Sequence, residues 1–143
     1  MWYSAGEQYE PDVFGYAVSA DGIRWEKKDT PVFGPDAQNV WEQVKVGGCQ
    51  VIKTEDGYLM FYIGYHNVDY AQIGIAKSPN GISDWYRFPE NPIIAPDPDM
   101  WDAEACYKPY ALYDGEKWLL WYNGRRGSVE QIGVAVHMGY ELF

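Results

Sequence analysis

Two short phrases are each written three times along this chain at an almost constant spacing, and that spacing restricts it to folds built from one repeated unit. Met1-Trp2-Tyr3-Ser4-Ala5-Gly6 recurs as Met60-Phe61-Tyr62-Ile63-Gly64 and as Leu120-Trp121-Tyr122-Asn123-Gly124, copies that lie 59 or 60 residues apart. Gly15-Tyr16-Ala17-Val18-Ser19 recurs as Gly74-Ile75-Ala76-Lys77-Ser78 and as Gly133-Val134-Ala135-Val136-His137, each 59 residues after the last. In 143 residues there is room for only about two and a half copies.

The unit reads as strands. Apolar and aromatic residues come in short runs broken by Gly, Pro, Asn and Asp, with no long helical period. In the middle copy a first strand is expected over about 44–53, then a hairpin at Asp56-Gly57, where glycine tolerates the positive φ of a tight turn. A second strand follows over 58–65 and a third over 72–77. Asn80-Gly81 turns the chain toward Trp85, and Pro92-Ile93-Ile94 is expected as a short outer strand, an edge position where proline removes no ladder donor. Four antiparallel strands in about 60 residues make one blade of a β-propeller. The Gly and Ala two residues apart in each third strand share one face and should let a neighbouring blade approach. Trp2, Phe61 and Trp121 are expected to fill the space between blades.

The fold expected is therefore all-β, a partial propeller of about two and a half four-stranded blades. An incomplete blade covers about 1–40, a full blade about 41–100, and an incomplete blade about 101–143. Incomplete blades leave strand edges and aromatic faces bare. The expected remedy is a homodimer in which a second chain, related by a two-fold axis, completes the ring. A truncated piece of a longer protein is the competing expectation.

Charge narrows the partners. A net charge of −10 disfavours nucleic acid and anionic membrane surfaces, both polyanions. No apolar run approaches the ~20 residues of a membrane-spanning helix, and no basic, apolar leader is seen at the start, so a cytoplasmic protein is expected. Cys49 and Cys106 lack zinc-type spacing and read as small thiols in a reducing compartment. Asp97, Asp99 and Asp102 are dense enough to suggest calcium, but no loop motif orders them, so no metal and no cofactor is expected.

The repeated phrases resemble the five-bladed propeller glycosidases and phosphorylases, above all glycoside hydrolase family 130, with families 43 and 32 more distant. The residues that carry the resemblance are Trp2-Tyr3-Ser4-Ala5-Gly6, the Gly-x-Ala-x-Ser-x-Asp-Gly-Ile-x-Trp phrase from Gly15 to Trp25, its second copy from Gly74 to Trp85, and the pairs Trp41-Glu42 and Trp101-Asp102. The resemblance implies a propeller acting on or binding a carbohydrate, with acidic residues from the first strands of several blades at one mouth of a central channel. One chain supplies under half of the usual blades, and the Asn-Asp-Pro-like motif of family 32 is absent. A non-catalytic sugar-binding or structural propeller protein is therefore carried as the alternative.

By strict alternation Glu104, Cys106, Lys108, Tyr110 and Leu112 share one face of the last unit's first strand. Glu104 is the candidate proton donor, and the phrase Glu104-Ala105-Cys106 is similar to the Glu-Cys phrase that carries that role in family 32. Asp102 is the neighbouring carboxylate that could raise its pKa. The bland alternative for Glu104 is a solvated residue paired with Lys108. Lys45 lies on the equivalent strand of the middle unit, beyond Glu42. Trp101 and Tyr107 offer flat rings to a pyranose, as Trp41 does. Arg125, next to Arg126, could hold a phosphate or sugar oxygen, and His66 occupies the matching loop of the middle unit.

Overall fold

The computed structural model describes residues 1–6 and 11–143. Three antiparallel sheets follow one another along the chain. Strands β1 (Trp2–Ala5), β2 (Val13–Val18) and β3 (Glu26–Lys27) form the first, in that order. A 3-10 turn at Val40–Glu42 leads into the second, made of β4 (Lys45–Thr54), β5 (Gly57–Tyr65), β6 (Ala71–Ser78) and β7 (Tyr86–Arg87). The third holds β8 (Ala105–Tyr113), β9 (Lys117–Arg126) and β10 (Val129–Met138). This is a partial propeller of stacked blades, and no helix among the described residues is long and apolar enough to cross a membrane.

Alternation along the strands sends one side-chain set to each neighbouring blade. Met60, Tyr62 and Ala76 of the middle blade pack on Phe14 and Phe33 of the first. Leu59, Phe61, Ile73 and Ile75 pack on Cys106, Ala111, Trp118 and Leu120 of the third. Gln50 stitches the same junction: its Nε2 donates to Ala111 O at 3.0 Å and its Oε1 accepts from the Ala111 N–H. Trp2 fills the first junction as expected, its Nε1 donating to Gly81 O at 2.6 Å and its ring lying 5.6 Å from that of Tyr58.

Three expectations change on contact with the structure. The outer strand of the middle blade is Tyr86–Arg87, not Pro92–Ile94. The chain then turns, and Ile94 makes only an isolated bridge to Ile73. Between the two pieces the Asn91 side chain takes the ladder position itself, accepting from Ile75 N at 3.0 Å and donating to Ile75 O at 2.9 Å. A side-chain amide can imitate a peptide group, so the edge of β6 stays bonded where the backbone leaves it.

The second change concerns the repeated glycines. In the middle and last units they receive a tryptophan of their own unit rather than the next blade, and Gly15 of the first unit receives the Tyr3 ring. A Cβ at Gly64 or Gly74 would overlap the Trp41 ring, and one at Gly124 or Gly133 would overlap the Trp101 ring. Each indole thus lies flat across strands two and three of its blade, which only the missing side chains permit.

The third is a parity flip. The inner strands β4 and β8 each carry a bulge, between Val46 and Cys49 and between Tyr107 and Tyr110. An extra residue reverses which face the following side chains occupy. Cys106 accordingly shares its buried face with Ala111, while Tyr110 and Leu112 point out the other way and are exposed. The single face proposed for Glu104 through Leu112 is split in two at this bulge.

Candidate functional site

The same bulges shape a cleft between the inner ends of the second and third blades. Its volume is about 450 Å³, and Lys45, Gly47, Tyr65, Tyr107 and Arg125 line it, with Asp69 at its edge. In β4 the bulge is Gly47-Gly48, which leaves the floor open. A Cβ at Gly47 would come within 3.0 Å of the Tyr65 ring. In β8 the bulge is Lys108-Pro109, and Lys108 adopts φ of 55°, a left-handed conformation uncommon for a residue with a Cβ. That turn aims Tyr107 into the cleft and sends Lys108 beside it.

Cations and rings alternate around the opening. Lys45 Nζ lies 4.5 Å from the centre of the Tyr65 ring, and Lys108 Nζ lies 4.9 Å from that of Tyr107. Both separations are in cation–π range. Arg125, at the end of β9, extends its guanidinium so that Nη2 donates to Asp69 O at 3.3 Å and Nε faces Glu104 Oε2 at 3.7 Å. Glu104 therefore pairs with Arg125, not with Lys108. Its side chain is half exposed. The charged group it faces is the Arg125 guanidinium.

Lys108 pairs instead with Glu130, at 3.8 Å. Glu130 is the site residue that sequence reading missed. Asn123 Nδ2 donates to its Oε2 at 2.6 Å. The Tyr107 hydroxyl, Lys108 and Asn123 together hold its carboxyl below the ordinary range. Burial, then the hydrogen bond to Glu130, push the Tyr107 phenol above its own. The corresponding residue of the middle blade is Ala71, so no repeat marks Glu130. The one available signal was its register opposite Arg125 across the β9–β10 hairpin.

The other candidates lie outside this cleft's lining. Asp102 is buried, accepts from the Tyr122 hydroxyl at 2.8 Å and has Cys106 Sγ at 3.6 Å from the same oxygen. It anchors the segment that carries Trp101, whose ring stacks on Tyr122 at 5.6 Å. Glu42 holds the matching place in the middle blade, fully buried, with Arg87 Nε at 2.7 Å and Asn39 Nδ2 at 3.1 Å from its Oε1. Arg87 reaches across to Gly34 O of the first unit as well. Burial outweighs Arg87 and raises the Glu42 pKa. His66 lines a separate shallow depression with Trp41, Tyr70 and Gln72, where its Nδ1–H donates to Val40 O at 2.9 Å. Arg126 donates to Met100 O at 3.1 Å. Asp97 accepts from the Asp99 N–H at 3.0 Å, ordinary turn geometry.

Comparison with known proteins places the fold. No family model matches the chain. The acid beta-fructofuranosidase of Solanum lycopersicum is 30% identical over 153 residues, which cover 94% of this chain and 22% of that protein. The uncharacterized protein Rv1502 of Mycobacterium tuberculosis is 26% identical over 145 residues, 95% of this chain and 46% of its own. Among solved structures, Zg3597, a family 117 glycoside hydrolase of the marine bacterium Zobellia galactanivorans, superposes with a TM-score of 0.73 at 16% identity, over 87% of this chain and 37% of that one. A structure from the GH130 family of mannoside phosphorylases gives a TM-score of 0.57 at 22% identity, over 93% and 41%. The chain spans less than half the length of each of these proteins. Its fold is that of the glycoside-hydrolase β-propellers.

Proposed function

We propose that this chain is a carbohydrate-binding segment of a glycosidase-like propeller, and that the cleft between β4 and β8 receives the sugar. One observation carries the reading: the inner strands of two blades each carry a one-residue bulge, and together they bring Lys45, Tyr65, Tyr107 and Arg125 around one opening. Flat rings suit the C–H face of a pyranose or furanose ring, and fixed N–H donors suit its hydroxyl oxygens. The glycosidase names of the relatives and structural neighbours point to the same ligand class.

Within this reading Lys45 and Arg125 donate to sugar oxygens, Tyr107 supplies a stacking face, and Glu130 positions Tyr107 and Lys108. Glu104 is a positioning residue that orients Arg125. Asp102 and Trp101 are framework, and so is His66.

The test is calorimetric titration with β-fructofuranosides, β-1,2-mannosides and their free sugars. Binding of at least one is expected, and Lys45→Ala or Arg125→Ala should weaken it roughly 10-fold or more, as for loss of a charged hydrogen bond. Trp101→Leu should leave affinity unchanged. Absence of binding across the panel refutes the reading.

A second reading, glycoside cleavage with Glu104 as proton donor, is favoured by one observation, the half-exposed carboxyl of Glu104 next to Ala105 in the cleft wall. Turnover of an aryl glycoside that disappears in Glu104→Gln would establish it. Turnover that persists in that variant would eliminate Glu104 as the acid.

A further inference from the structure

The rim of the middle blade holds an open depression of about 610 Å³, built by one unit alone: the 3-10 turn before β4, the hairpin between β5 and β6, and Asn91-Pro92. Blades flank this unit on both sides, so its rim lies away from the outer faces of the first and third blades. No described Asp, Glu, Lys or Arg lines the depression, although such residues make up 22% of the chain. The lining is mainly carboxamides and rings.

The third blade shows that this is not a property of the repeat. Arg126 donates to Met100 O as His66 donates to Val40 O, so the same tie closes both rims. Yet Pro98 and Asp99 stand where the middle unit has Gln38 and Asn39, and Arg126 and Val129 stand where it has His66 and Tyr70. One frame carries charge in the third blade and uncharged hydrogen-bonding groups in the middle one.

Three carboxamides each fix one end to that frame. Asn39 Nδ2 donates to Asp36 Oδ2 at 3.2 Å and to Glu42 Oε1 at 3.1 Å. Asn67 Oδ1 accepts from the Asp69 and Tyr70 N–H groups at 2.9 and 2.8 Å. Gln72, only 7% exposed, donates from Nε2 to Trp41 O at 3.5 Å. No described residue answers the opposite ends, Asn39 Oδ1, Asn67 Nδ2 and Gln72 Oε1. A carboxamide tied at one end cannot exchange its oxygen and nitrogen, so two acceptors and one NH2 group keep fixed identities. The Trp41 indole rests on Gly64 and Gly74 and is half-buried, and His66 props the Tyr70 ring edge-on at 6.3 Å.

We propose that this depression is a second sugar site, separate from the cleft, and that it takes one neutral glycosyl unit. A sugar hydroxyl both donates and accepts, which matches a mixed set of oxygens and NH2 groups. The C–H face of the sugar suits Trp41 and Tyr70. A carboxylate or phosphate would find no described cation in the lining to pair with. Groups already held in place lose little freedom on binding, which favours affinity at an open site. The inference does not rest on the cleft and stands whether or not the cleft binds.

A proton–nitrogen NMR titration of the chain reads both places at once. The Asn67 side-chain NH2 and the Trp41 indole N–H report on the depression, and the Gly47 and Tyr107 amides report on the cleft. Sucrose and β-1,2-mannobiose are the neutral probes, and glucuronate is the charged one. At least one neutral probe should move the depression signals, and glucuronate should not. Tyr70→Ala and Gln72→Met should each weaken that response roughly 3-fold or more, as for a lost ring face or a lost hydrogen bond. Well-dispersed spectra identify a folded variant. Lys45→Ala, in the cleft, should leave the response unchanged. Depression signals that no neutral probe moves, that glucuronate moves equally, that respond undiminished in either folded variant, or that fall silent in Lys45→Ala overturn the proposal. Cleft signals that stay still while the depression responds refute the cleft reading alone.

Discussion

Gly133→Ala tests the glycine cradle beneath the tryptophans. A Cβ there would come within 2.6 Å of Trp101 Cζ2 and 3.1 Å of Tyr122 Cε1. Both rings are held in place: Tyr122 is tied to Asp102, and Trp101 rests on Gly124 and Gly133 and stacks on Tyr122. Overpacking of this kind costs about 1–3 kcal/mol. Unfolding entropy of about 2.1 cal/mol/K per residue gives roughly 0.3 kcal/mol/K for a chain of this length, so a cost of about 2 kcal/mol lowers Tm by about 7 °C. The decisive measurement is a double-mutant cycle read by thermal or urea unfolding. In a Trp101→Leu background the indole is gone, and Gly133→Ala should cost under about 0.5 kcal/mol, leaving a coupling of roughly 1.5 kcal/mol or more. Gly48→Ala is the control, since its nearest neighbour would be Ile63 Cδ1 at 3.9 Å. It should be neutral or stabilise by about 0.4–1 kcal/mol. An equal cost for Gly133→Ala in both backgrounds would refute the cradle and reduce the repeated glycines to ordinary strand residues.

Gln50→Leu should destabilise by about 1–3 kcal/mol, measured by urea unfolding, because it leaves the Ala111 N–H and C=O buried without partners. Burial pushes both thiols, Cys49 and Cys106, up to about 12, so mass spectrometry should find little alkylation by iodoacetamide at neutral pH and full alkylation in urea. Glu42 has a folded-state pKa above its ordinary 4.5, so the folded state binds the proton more tightly and its contribution is largest below that value and fades as pH rises through the folded pKa. Relative to Glu42→Gln, the wild type should gain stability as pH falls from neutral toward 4.5, and a difference in Tm that is flat across that range would contradict the assignment.

Local chemistry explains what was legible beforehand. The hairpin at Gly57 follows from its φ of 136°, which a residue without a Cβ adopts cheaply, and the strands on either side were placed to within a residue or two. Trp2 was readable as a filler between blades because its repeat counterpart Phe61 is also large and apolar. The outer strand was misread because Tyr86-Arg87 carries no β pattern of its own. Its pairing depends on β6 offering an edge, and on Asn91 filling the gap.

Period and composition by themselves settled that this chain is a series of antiparallel sheets of one kind, since hydrophobic alternation and turn glycines act between residues near in sequence. Tertiary structure alone decided which residues face which blade. A bulge of one residue reverses the parity of everything after it, and alternation counted along the sequence cannot register that slip. The same holds for the cleft. Lys45 is far in sequence from Tyr107 and Arg125, and only the stacking of one blade on the next brings β4, β8 and the end of β9 to a common opening.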